Sequence, residues 1–135
     1  MPRPRRARVS DLGEIALALP EVEEAVGRGG RPVYAVRGRT FLFFREPRPD
    51  AVDADTGERL ADVVVLSVAD RDGKEALLGS GPPWFTTPHF DGYHAVLVRE
   101  RDIGLVTRDE LEEVVTDAWL AKAPKRLATD FLEGR

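Results

Sequence analysis

Cysteine is absent from the 135 residues, which removes thiolate catalysis, CxxC redox chemistry, iron–sulfur clusters and cysteine-bearing zinc sites. Nothing points to an oxidising compartment either. Histidine occurs twice, as His89 and His94, and lysine only three times against 17 arginines. No apolar run approaches the roughly 18 residues needed to cross a bilayer. The charged N-terminus has no apolar segment behind it, so a signal peptide is not expected. These absences predict a cytoplasmic protein with no membrane association.

Motifs of catalysis are missing as well. Gly27-Arg28-Gly29-Gly30 lacks the lysine and the preceding strand of a phosphate loop and reads as a turn. Ser10, Ser67 and Ser80 sit in a cap, a strand and a Gly/Pro turn, not in a nucleophile elbow. His89 and His94 flank Asp91, the right types for a divalent metal, but the spacing supplies no third ligand. The expectation is a non-enzymatic protein with no catalytic residues, no cofactor and no metal.

What is present is ordinary globular material, 42% hydrophobic and 33% charged. A chain of this length forms one domain able to hide roughly two thirds of its unfolded surface. The net charge is −4, yet Arg3, Arg5, Arg6 and Arg8 crowd the first eight residues. Residues 1–9, with two prolines, are expected to form a disordered basic arm ahead of a single domain at 10–135. The remaining body is acidic, unlike the basic face of a dedicated DNA-binding domain.

Ser10 is expected to cap a helix carrying Leu12, Ile15, Ala16 and Leu19, which Pro20 ends. Val33–Arg37 and Thr40–Phe44 read as strands of a hairpin closed by Gly38-Arg39, with Arg37 and Arg39 at its tip. Residues 46–61 form a polar connection. Val63–Val68 is a covered strand, Asp70–Leu78 a short helix, and Tyr93–Val98 a further strand after the Asp91-Gly92 turn. Thr107 and Glu110 make a capping box for a helix with the stripe Leu111, Val114, Val115, Ala118 and Trp119. Pro124 opens a last short helix. This pattern predicts an α+β two-layer sandwich, an antiparallel sheet with helices on one side, in the order α-β-β-β-α-β-β-α(-α).

Two surfaces offer function. A protruding hairpin with basic tips can lie along a DNA groove as a wing, and Arg37, Arg39, Lys125 and Arg126 are the candidate phosphate contacts. Trp84, Phe85, His89, Phe90 and Tyr93 cluster in one aromatic segment that could instead present a ligand or partner surface, although a core needs aromatics too.

Leu17-Ala18-Leu19-Pro20-Glu21-Val22-Glu23-Glu24, the run Gly30-Arg31-Pro32-Val33-Tyr34-Ala35-Val36-Arg37-Gly38-Arg39-Thr40-Phe41, Thr87-Pro88-His89-Phe90-Asp91-Gly92-Tyr93, and Ala118-Trp119 with Ala123-Pro124-Lys125-Arg126-Leu127 together resemble the MmcQ/YjbR family, in family order and over nearly the whole chain. The resemblance implies a two-layer fold of helix, three strands, helix, two strands and helix. It also implies a DNA-binding description through a double-wing-like arrangement, with no catalytic residues to carry over. Two departures stand out: His94 where the family strand often has tryptophan, and a long 46–61 connection. The resulting expectation is a weak, salt-dependent DNA binder using the hairpin wing; the alternative is a binding module for a protein or small molecule built on segment 84–93.

Overall fold

The computed structural model describes residues 5–134. Along the chain run α1 (Val9–Ala18), β1 (Val22–Val26), β2 (Pro32–Val36), β3 (Arg39–Arg45), β4 (Val63–Ser67), α2 (Arg71–Gly79), β5 (Ala95–Arg99), α3 (Arg108–Lys122) and α4 (Lys125–Leu132). The five strands form one antiparallel sheet whose spatial order is the chain order, β1-β2-β3-β4-β5. The α+β class and the antiparallel sheet therefore match the expectation from sequence.

Strand alternation divides the apolar residues between two faces. Tyr34, Leu42, Val64, Leu66, Val96 and Val98 meet Leu12 and Ile15 of α1 and Leu111, Val115 and Trp119 of α3 in the main core. On the opposite face Val63, Val65, Ala95, Leu97 and Phe43 are covered by Ala51, Leu60, Phe85 and Phe90, all from the two long connections. β4 is thus buried on both sides, which is why it reads as an unbroken apolar run. The connections cover β4 and β5 but leave the outer side of β2 and part of β3 open.

Several expected boundaries move. Residues 22–26 form an additional strand, β1, at the free edge; four of its five residues are exposed, so it carries no alternation to betray it. The segment after α2 does not give two strands. Phe85 makes only a two-bond bridge to Leu97, and β5 follows alone. The observed order is α-β-β-β-β-α-β-α-α. The hairpin turn is Arg37-Gly38, both at positive φ (50° and 79°), and Arg39 already belongs to β3. Two adjacent positive-φ residues give the twist that a two-residue link between antiparallel strands needs.

The basic arm is also corrected in part: residues 1–4 lie outside the described residues, but 5–9 are docked. Ala7 is buried and donates its amide to the Val106 carbonyl at 3.0 Å, Arg108 donates to the Arg5 carbonyl at 2.8 Å, and Val9 opens α1. The N-cap of α1 is Arg8, not Ser10, and Asp11 in the first turn closes it: its carboxylate accepts from the Arg8 amide at 2.7 Å and from the Arg5 guanidinium at 2.8 and 3.0 Å.

The Arg5 hydrogen bonds, with the Arg8 amide and the charge of Arg108, hold the Asp11 carboxyl below its ordinary value against the opposing effect of burial. A carboxyl depressed in the folded state contributes stability above its unfolded value and loses it as pH falls through the folded one. Asp11→Asn keeps the shape of the cap and removes the charge. Its unfolding midpoint is expected below wild type at neutral pH, with the gap closing below about pH 4; equal slopes against pH would contradict this.

Candidate functional site

The open part of the outer face is a groove of about 1020 Å³. Val33 of β2 and Phe43 of β3 form its floor. Arg45, Arg48 and Asp50 build one wall, His89 and Phe90 another, and Gly27-Arg28 close the end beside β1. The walls are fixed by contacts that long polar connections rarely supply. Arg45 is buried, bonds Asp50 at 2.7 and 3.1 Å, and lies 4.9 Å from the Phe90 ring centre. Asp50 also accepts from the Thr87 hydroxyl at 2.7 Å, tying the two connections together. These bonds, that to Arg45 first, keep the Asp50 carboxyl below its ordinary value.

The turn carrying Phe90 is held from behind by Lys74 of α2. Its ammonium is buried and donates to the carbonyls of Phe90 and Tyr93, the latter at 2.8 Å. Burial pulls this lysine below its ordinary value, opposed by the charge of Asp91. Sequence reading missed Lys74, Arg45 and Asp50. A single lysine in a polar helix carries no periodic signal, and the Arg45–Asp50 pair looks like surface charge until the second core covers it.

Beyond Phe90 and Phe43 a smaller cleft of about 380 Å³ continues along the sheet. Thr40, Ser67, Tyr93, His94 and Lys122 line it, together with apolar atoms and no carboxylate. Arg39 stands beside it, donating to the Lys122 carbonyl at 3.4 Å at the end of α3.

The two sets of sequence candidates are only partly united. Of the aromatic segment, Trp84 is buried in the main core, while Phe85 packs half-buried against the second one and faces a different cleft, beside Val52 and Arg99. His89, Phe90 and Tyr93 do converge, with ring centres 4.9 to 5.9 Å apart. Of the basic set, Arg37 is bound to Glu21 at 2.6 and 3.0 Å, which offsets its charge. Arg39, Lys125 and Arg126 are exposed, and with Lys122 they take part in no ion pair among the described residues. No group of three or more possible metal ligands comes together among the described residues. No helix there is long and apolar enough to cross a membrane.

Comparison with known proteins agrees with this architecture. The YjbR family model matches residues 17–121, from the end of α1 almost to the end of α3. Relatives include the Uncharacterized protein Mb2600 of Mycobacterium bovis and the Uncharacterized protein Rv2570 of Mycobacterium tuberculosis. Each is 41% identical over 128 residues, covering 90% of this chain and 93% of the relative. No solved structure matches significantly. With a match over most of its length and relatives at this identity, the chain belongs to the YjbR family.

Proposed function

We propose that the chain is a non-enzymatic binding module whose outer-face groove takes a small, flat apolar molecule. The observation that carries this is the uncovered floor of Val33 and Phe43 inside a walled concavity of about 1020 Å³, a size that suits a small ligand. The walls support it further, because Arg45 and Arg48 hold Asp50 and Glu46 and so fix the shape of the groove. Titration with neutral naphthylbutanamide, followed by NMR, is expected to shift the amides of Gly27, Val33, Phe43 and His89. Phe43→Ala should weaken binding about tenfold, equivalent to roughly 1.4 kcal/mol. Absence of shifts at these amides at millimolar ligand would overturn the proposal.

A second reading, weak DNA binding, is favoured by one observation: Arg39, Lys122, Lys125 and Arg126 lie near one end of α3 and, among the described residues, take part in no ion pair. The hairpin wing itself speaks against it, since Glu21 occupies Arg37. Four phosphate contacts would give a modest affinity falling steeply with salt. Anisotropy of a labelled random duplex at two salt concentrations decides: binding lost in the Arg39→Glu, Lys125→Glu, Arg126→Glu variant supports it, and no binding at low salt removes it.

A further inference from the structure

We infer that the ligand of this groove is an amphiphile with a small oxyanionic head, a carboxylate or a phosphate, and that the head is read in the cleft beyond Phe90. This rests on the groove reading above and adds the chemical class of the ligand. Groove and cleft are neighbouring compartments of one surface: both are lined by Thr40, Phe43 and Phe90. A molecule lying on Phe43 therefore reaches the cleft by passing the Phe90 ring.

The cleft has the composition of an anion site. Its lining holds one lysine, one histidine and the hydroxyls of Thr40, Ser67 and Tyr93, and no carboxylate. That selection is unexpected in a chain with 24 acidic residues and a net charge of −4. Among the described residues, the side-chain polar atoms of Thr40, Ser67, Tyr93, His94 and Lys122 make no hydrogen bond or ion pair within the protein. Polar side chains from β3, β4, the turn before β5 and the end of α3 thus line one cleft, open to solvent and without partners among the described residues. Arg39, outside the lining but within reach of the Lys122 carbonyl at 3.4 Å, adds a second positive charge near this end of the cleft. A cation would meet two like charges here, and a neutral head would leave them unneutralised. A hydrogen bond in which one partner is ionised is roughly twice as strong as a neutral one, so an oxyanion gains most.

The test compares naphthylbutanoate, naphthylpropyl phosphate and neutral naphthylbutanamide, which share the aromatic body. At least one anion is expected to bind about tenfold more tightly than the amide and to shift the amides of Thr40, Ser67 and His94 in addition to those of the groove. The better anion identifies the head. In Lys122→Glu the preference should vanish while amide binding persists, and Lys122→Arg should restore it. Equal affinities for all three ligands would overturn the inference and leave the groove reading standing. A preference that survives Lys122→Glu would overturn it too, because the cleft would not be the reader. Failure of every ligand to bind wild type would overturn both readings.

Discussion

Trp119→Ala is expected to destabilise the protein by about 3–5 kcal/mol, the usual range for emptying a large aromatic site in a core. The indole is fully buried, lies 4.9 Å from the Phe131 ring and donates through Nε1 to the Pro20 carbonyl at 3.0 Å. It therefore joins three parts of the fold: the body of α3, the packing of α4, and the turn between α1 and β1. For a domain of this size the loss corresponds to a fall in Tm of roughly 10–20 °C, measurable by calorimetry. Trp119→Phe separates the contributions. It keeps most of the ring contact and leaves the Pro20 carbonyl without its donor, at a cost of about 1–2 kcal/mol. A fall of only a few degrees for the alanine variant would mean that α4 is not held through this ring.

Lys74→Met ranks next and connects stability to the site. Methionine retains the apolar stem and removes the ammonium that grips the Phe90 and Tyr93 carbonyls. Each carbonyl keeps one backbone partner, from the Tyr93 and Ala95 amides, so the expected loss is that of charged hydrogen bonds, about 2–3 kcal/mol by denaturant unfolding. The particular signature is local. Hydrogen exchange at Tyr93 and Ala95 should accelerate more than in the core strands, and naphthylbutanamide should bind more weakly because the Phe90 wall is no longer fixed. Unchanged exchange together with unchanged binding would show that α2 does not position the turn.

Much of the fold could be read from local pattern. The continuous Val63–Leu66 run, the Thr107/Glu110 capping box and the stripe ending at Trp119 each report a choice made within a few residues, and each stands in the structure. β1 could not be read this way because an edge strand with one thin contact to the core has no burial pattern. The docking of residues 5–8 was equally hidden: one small buried side chain, Ala7, and backbone bonds to a segment a hundred residues away leave no mark in composition. The candidate site was half legible. His89, Phe90 and Tyr93 stood out by residue type. The groove floor at Val33 and the cleft residues Ser67 and Lys122 lie on other elements, and only the sheet order brings them alongside.

The pairing of residues 5–8 with 105–108 also bears on how the chain is made. The strands can add in the order of synthesis, each beside the one just completed. α1 can rest on β1 and β2 early, but its side facing α3 stays open, and the Leu105 carbonyl that receives Arg6 lies 99 residues beyond it. At translation speeds of about 5–20 residues per second, the side of this helix that faces α3 waits on the order of 5–20 s before it can be covered. The closing of the fold is therefore set by the emergence of α3.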